Sequence, residues 1–503
     1  MLALPEIAVV PGVESLSDLL APLRQLPWGS WQAFWQSELF WDRKFIIFLY
    51  LPVIPLLMLL AGRNLRWAIV VTGLAFVGYV FGAAFLAFWL ASCLAFYALS
   101  QRFAIEVRRK DVWAWGPPLA AISIITLYFV LVHTLDNIKL GAAANSWLLA
   151  HARWLYPLGY RELPWEPAWP GSNRQFFYLI LHRSHEIGTA YLVMRMIHYF
   201  SEIKRGTIPP ERRTLLNFMA YVCYAPTLIQ GPIERYNEFN SEIDTCHERR
   251  LGPGLLVGLW RMGLAAAKMA FTLAYYGPWL GRLGMFSKDF YLRPGEVSSY
   301  ATLFFAIHLQ VFGFYLVLSA YWDFVIGMSR LLGYRVVENF HWPWIARSLS
   351  DMWRRWHISM SLILRDYIYF PLTRKRWNGV VTAVGTFLIC GIWHSADGNY
   401  VVWGLVMGLL VAVNQKWSRW MRDLDRRPQR RLSAVRRAWM RMQPLPAVCS
   451  WLLTINVFMM SGMICLWGQG AIGVVWELIR RPLQWALQGW GITLEPLVLE
   501  KWR

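Results

Sequence analysis

Long apolar runs separated by short polar or basic segments set the pattern of this chain. The stretch from Trp67 to Gln101 carries no charged residue. It is too long for one bilayer span of about 20 residues, so it predicts two spans joined by a tight turn. Comparable runs near 45–61, 113–135, 176–199, 214–232, 253–276, 300–320, 379–394, 398–415 and 445–466 bring the expected total to roughly ten to twelve helices. The predicted class is an all-α polytopic membrane protein, with some polar helices buried inside the protein or folded back as re-entrant segments.

The pattern divides into a residue 1–43 arm, a 44–466 membrane domain and a 467–503 C-terminal arm of partly amphipathic character. No basic residue precedes Arg24, so the arm lacks the basic start and apolar core of a secretory signal. Its Trp28, Trp31, Phe34, Trp35 and Trp41 instead suit an interfacial helix at the headgroups. No internal repeat is evident, which weighs against transporters built from inverted repeats.

Composition sharpens the setting. Hydrophobic residues make up 57% of the chain and charged residues 16%, against roughly 25% charged in soluble domains. The net charge of +20 raises the question of nucleic acid, but its distribution argues against it. The basic residues gather in short loops: Arg102 with Arg108, Arg109 and Lys110; Lys204, Arg205, Arg212 and Arg213; and Lys416 through Arg441, which holds ten Lys or Arg against two Asp. By the positive-inside rule these loops are cytoplasmic and the 136–174 loop faces outside. Anionic lipid, not nucleic acid, is the expected partner of this charge. Five of six cysteines (Cys93, Cys223, Cys390, Cys449, Cys465) lie in apolar segments and Cys246 in a polar loop, giving neither a disulfide framework nor a Cys-based metal site.

Against this background the polar residues stand out. Asp351-Met-Trp-Arg354-Arg355-Trp356-His357-Ile-Ser359 packs an acid, two arginines, a histidine and a serine into nine residues. Thirty-seven residues on, His394 closes an apolar run in Gly391-Ile-Trp393-His394. Ionisable groups at membrane depth are costly and mark function by default. Asp323 interrupts another apolar region and needs a cation, for which Arg354 and Arg355 are chemically suitable; a structural ion pair fixing helix packing is the plain alternative. Arg365 and Asp366 continue the polar stretch 351–371, which is too polar to face lipid. Its arginines Arg354, Arg355 and Arg365 suit either phosphate or carboxylate groups of an incoming donor or internal pairing with Asp351, Asp366 or Asp323. Gly231-Pro232 in Gln230-Gly-Pro-Ile-Glu-Arg-Tyr236 breaks an apolar run and marks a span end or re-entrant turn. In His182-Arg-Ser-His185-Glu186 the two histidines, at i and i+3, share one helix face but lack a clear third ligand, so loop or helix-end hydrogen bonding is expected there and no metal is assigned. His133, His151, His198, His247, His308 and His341 stand alone and read as structural.

Two embedded histidines suit acyl transfer. A neutral imidazole takes a proton from an attacking hydroxyl and returns it to a leaving thiolate, while a second polar group orients it or polarises the carbonyl. No GxSxG elbow supplies a serine nucleophile. Proton relay in a transporter or flippase uses the same residue types, so spacing alone leaves both readings open.

The block "SAYWDFVIGMSRLLGYRVVENFHWPWIARSLSDMWRRWHISMSLILRDYIYFPL" followed by "GIWHSADGNYVVWGLVMG" resembles the membrane-bound O-acyltransferase (MBOAT) family, and "APTLIQGPIERYNEF" resembles its upstream Gly-Pro block. The likeness spans about 215–415 and is closest to the bacterial group that acetylates alginate or D-alanylates teichoic acid. Before residue 175 it holds only in hydropathy. It implies helices around a central tunnel, with His394 as the family's catalytic histidine, His357 as the second polar site residue, and Asp323 where relatives carry an acid. Trp356, Ser359, Trp393 and Asn399 fall in or beside the same blocks as supporting residues. It further implies an acyl thioester (acetyl-CoA or acyl carrier protein) as co-substrate with no bound cofactor, a glycan or lipid-linked acceptor, and a separate extracytoplasmic acyltransferase partner. Two departures fall near the site or its rim, where donor and substrate choice are set. Ser395 follows His394 where relatives have Gly, and Thr373-Arg-Lys-Arg376 replaces an expected Gly-Gly.

The expectation is therefore a multi-pass enzyme of the bacterial inner membrane that moves an acyl group, acetyl first, to hydroxyls of an exported polysaccharide or envelope glycan. D-alanyl or longer-acyl transfer from a carrier protein is the alternative within the class.

Overall fold

A computed structural model describes residues 64–81, 83–107, 189–249, 253–276, 300–394, 398–426, 431–467 and 469–487, together with Val53, Trp279 and Leu494. The predicted 1–43 arm, the 113–135 span, the 136–174 loop and the His182/His185/Glu186 cluster lie outside the described residues.

The charge-free run folds as two helices, α1 (Leu65–Phe81) and α2 (Ala83–Val107), as the expectation of two spans has it. Next come α3 (Thr189–Arg205), α4 (Leu215–Cys223) and the short α5 (Ala225–Leu228). The single span expected over 214–232 is thus broken. Pro226 opens α5, Ile229 closes it with helical backbone angles, and no helix runs through residues 230–235. Non-helical backbone is tolerated at membrane depth only where protein satisfies its polar groups. Here Trp322 Nε1 donates to the Gln230 carbonyl at 3.0 Å, Ile233 N donates to Ser359 Oγ at 3.0 Å, Tyr221 Oη donates to the Glu234 carbonyl at 2.7 Å, and Tyr236 N donates to His198 Nε2 at 2.8 Å. His198, expected to be structural, is one of these anchors.

The polar α6 (Tyr236–Arg249) leads to α7 (Pro253–Phe271) and α8 (Tyr300–Leu331), which pack along one another. α8 runs well past the expected 300–320. It can do so because its acid, Asp323, is matched from α7 by Arg261 and Lys268. The expected partners Arg354 and Arg355 pair instead with Asp351, three and four residues away on their own helix. Such i,i+3 and i,i+4 spacing brings side chains together on one face without any help from tertiary structure.

A compact polar hairpin follows: α9 (Leu349–Arg355), α10 (Ile358–Leu364), a wider-wound turn over Arg365–Tyr369, and α11 (Phe370–Arg374). α9 and α10 bury one side against α12 (Gly379–His394), α13 (Gly398–Arg426) and α15 (Leu445–Trp467), in a core containing Met352, Trp356, Met360, Cys390, Trp403, Met407 and Phe458, whereas the Arg365–Tyr369 turn and α11 contain no fully buried residue. The exposed basic helix α14 (Arg431–Arg441) joins α13 to α15, and α16 (Gln469–Leu487) is the last of the described helices. α12 and α13 approach closely through glycine: a Cβ on Gly391 would stand 2.1 Å from the Tyr400 carbonyl oxygen, and one on Gly404 2.5 Å from that of Phe387.

Among the described residues, four helices are long and apolar enough to cross a membrane (within 254–271, 300–331, 398–426 and 445–465), and 65–78 and 379–394 are shorter apolar helices. Among the described residues the only extended pairing is one antiparallel bridge between Phe340 and Trp356. The chain is an all-α polytopic membrane protein.

Candidate active site

His357 is the junction between α9 and α10, and its backbone is left-handed (φ 45, ψ 55). Histidine enters this region more readily than most residues, though still uncommonly. The residue is 4% exposed, and its imidazole lies among rings from α3, α8 and α12. His394 is the last residue of α12, half-buried. The two ring centroids lie 6.4 Å apart with planes at 64°. They are close neighbours, inclined too steeply to stack.

Aromatic rings wall this region. Trp322 of α8 meets His357 edge-on at 4.8 Å, and Trp393 lies 6.3 Å from His357 and 4.7 Å from His394. Tyr400 stacks on His394 at 5.9 Å (27°) and Trp403 meets it edge-on at 6.0 Å. From α3, Tyr191 stacks near His357 at 6.4 Å, crosses Trp393 at 5.2 Å, and places its hydroxyl 3.4 Å from His357 Nε2. The other nitrogen, His357 Nδ1, is buried and has no partner among the described residues. Buried polar atoms are rarely left unmatched, and those that are call for a ligand, water or catalytic role.

The structure therefore brings together His357, His394 and Trp393. Trp356 lies behind them, packed on Phe340 at 4.8 Å and Phe458 at 5.0 Å. Ser359 is supporting in a literal sense, since its hydroxyl holds Ile233 N of the Gly-Pro loop. Asn399 sits half-buried in the first turn of α13, beside Tyr400. Other expected site residues are engaged elsewhere. Asp323 is held by α7. Arg365 Nε donates to Asp366 Oδ1 at 2.7 Å, and Arg235 of the Gly-Pro block pairs with the same carboxylate. Burial acts to raise the Asp366 carboxyl, but the hydrogen bonds and charges of Arg365 and Arg235 outweigh it and hold the group below its ordinary value. Arg354, with a side chain 74% exposed, is the expected donor-facing arginine whose guanidinium stays most open.

Sequence reasoning missed Tyr191, Trp322, Tyr400 and Trp403. Tyr400 and Trp403, three residues apart, share a face of α13, but nothing in that spacing pointed to His394 on the preceding helix. Tyr191 carried no signal, because it reaches His357 across 166 positions. Among the described residues no cluster of three or more His, Cys, Asp or Glu is arranged to hold a metal ion.

Comparison with known proteins places this arrangement. The pattern of the MBOAT, membrane-bound O-acyltransferase family, matches residues 177–448, more than half of the chain and all of the site. "Probable alginate O-acetylase AlgI" of Pseudomonas putida is 30% identical over 265 residues, covering 50% of this chain and 49% of that protein. The teichoic acid D-alanyltransferase of Bacillus subtilis is 24% identical over 262 residues, covering 50% and 64%, and the peptidoglycan O-acetyltransferase of Helicobacter pylori is 26% identical over 248 residues, covering 48% and 42%. The chain thus spans about half the length of the alginate-type relative. On the family match, with its paired histidines inside a polytopic helical fold, the chain belongs to the membrane-bound O-acyltransferase family.

Proposed function

We propose that this protein is a membrane O-acyltransferase. It moves a short acyl group, acetyl in the first instance, from a cytoplasmic thioester to hydroxyls of an exported polysaccharide or cell-envelope glycan, in the inner membrane of a bacterium. The observation that carries the reading is the close pair His357 and His394 inside an aromatic wall, with one buried imidazole nitrogen left for a reactant.

His394 is the general base in this mechanism. It removes the acceptor hydroxyl proton as that oxygen attacks the thioester carbonyl, forming a C–O bond and a tetrahedral oxyanion. When the Tyr191 hydroxyl donates to His357 Nε2, the ring proton sits on Nδ1, and that N–H faces the oxyanion as a fixed donor. Collapse breaks the C–S bond, and His394 returns its proton to the thiolate. No covalent enzyme intermediate and no bound cofactor are needed; the thioester is a co-substrate. The close ring wall of Tyr191, Trp322, Trp393, Tyr400 and Trp403 supports a small acyl group. The names of the alginate and peptidoglycan O-acetylating relatives support a glycan acceptor. Arg354 is assigned to anionic groups of the donor, and a separate extracytoplasmic acyltransferase partner is part of the proposal.

The teichoic acid relative keeps a second reading in view, D-alanyl transfer from a carrier protein. Purified protein in nanodiscs, given acetyl-CoA or acyl carrier protein loaded with acetyl or D-alanyl groups, tests both. Acceptor-dependent thiol release with one donor identifies the reaction. No release from any donor, with and without glycan acceptors and with an envelope extract added to supply the partner, contradicts acyl transfer and favours a proton-coupled transporter.

A further inference from the structure

A helix normally receives its first cap from its own N-cap side chain, which accepts from the backbone N–H two or three residues on. His357 occupies that position for α10 and makes no such bond. The cap comes instead from Asn339, in the loop after α8. The Asn339 backbone carbonyl accepts from Ile358 N at 3.0 Å, and its Oδ1 accepts from Ser359 N at 2.9 Å. Both N–H groups that follow the histidine are thereby satisfied from outside. The register is held on either side: Phe340 bridges Trp356, His341 N donates to the Arg355 carbonyl at 2.9 Å, and Arg355 Nη1 donates back to the His341 carbonyl at 3.2 Å. Asn339 is 1% exposed, and its Nδ2 has no partner among the described residues. Its side chain contributes an acceptor oxygen here and nothing else that is matched.

We propose that Asn339 is a positioning residue for His357: by capping α10 in the histidine's place, it holds residue 357 in the left-handed conformation and leaves the imidazole free to face the reacting centre. Without that acceptor, the orphaned Ser359 N–H draws the cap back toward the local chain. The histidine is the nearest side chain able to supply it, at the expense of its catalytic direction. The inference rests on the acyltransferase reading above and adds a residue to it.

The test uses Asn339→Ala, Asn339→Asp and Asn339→Gln proteins in nanodiscs, with thiol release from the donor that serves the wild type and rates normalised to folded protein. Asp presents an acceptor at the same reach and caps as well as Asn, so it is expected within about threefold of wild type. Ala removes the acceptor, and Gln displaces it by one methylene. Both are expected to lose about tenfold to a hundredfold in kcat, the scale of an ångström-level misplacement, with donor KM unchanged. Should the Ala protein fail to accumulate, the Asp and Gln pair carries the comparison. An Asp variant that falls as far as Ala or Gln, or a loss that lies in KM or only in melting temperature, overturns the proposal while leaving acyl transfer intact. A wild-type protein that releases no thiol from any donor, with the envelope extract added, overturns the acyltransferase reading, and this proposal with it.

Discussion

Gly391→Ala is the substitution whose outcome the packing dictates most sharply. The added methyl would lie 2.1 Å from the Tyr400 carbonyl oxygen and 3.0 Å from its carbonyl carbon. Both sides of that contact are backbone, so no rotamer change relieves it, and α12 and α13 must part by about 1 Å to restore even a tight contact. Tyr400 stacks on His394, and Trp403 meets the same ring, so the displacement falls directly on the base. Misplacing a catalytic group on that scale costs about 10²-fold in rate, and overpacking costs about 1–3 kcal/mol of stability. Gly385→Ala is the control on the same helix, because a Cβ there meets nothing within 4 Å. It removes an unfavourable helix-interior glycine worth about 0.5–1 kcal/mol. Donor turnover and thermal melting of both proteins in nanodiscs give the comparison. The expected result is a near-inactive Gly391→Ala protein beside a Gly385→Ala protein with wild-type turnover and undiminished stability. Equal turnover in the two would refute the close packing of α12 on α13 as the support of His394.

Two further outcomes follow from the charge pairs. Asp323→Asn strips the counter-ion from Lys268 and one of the two from Arg261, which keeps Glu338, and should cost about 3 kcal/mol in mixed-micelle unfolding, the low end for a broken buried pair because both cations are partly exposed; a loss below about 1 kcal/mol would show that water already screens the pair. The Asp366 carboxyl, held low by Arg365 and Arg235, is ionised in the folded state to lower pH than in the unfolded chain. Its contribution is therefore complete above the ordinary carboxylate range and fades as pH falls through the depressed folded value. Melting temperature followed from neutral pH to pH 3 should fall more steeply in wild type than in Asp366→Asn, and parallel curves would remove Asp366 from the account.

Much of the membrane architecture was legible because charge-free runs have few alternatives at bilayer depth. Trp67–Gln101 gave two helices, 445–466 one, and the glycine-bearing run before His394 another. In the segment 214–232 the break at Gly231-Pro232 was legible, but the apolar composition masked the earlier one at Pro226. The groups that satisfy its open backbone, such as Ser359 and Trp322, lie about a hundred residues away. The partners of Asp323 were missed although Arg261 and Lys268 sit two helical turns apart in an apolar run, a spacing that puts both on one face. The histidine pair was legible from its local blocks. Tyr191 and Asn339 were not, since each serves His357 through tertiary approach and carries no local signature.

The central claim is that His394 performs the proton transfer of an acyl transfer. Its most direct test is thiol release by wild-type and His394→Ala proteins at equal membrane levels, with the competent donor and acceptor supplied. The account predicts acceptor-dependent release by the wild type and none above background by the variant. Retained turnover in His394→Ala would contradict it.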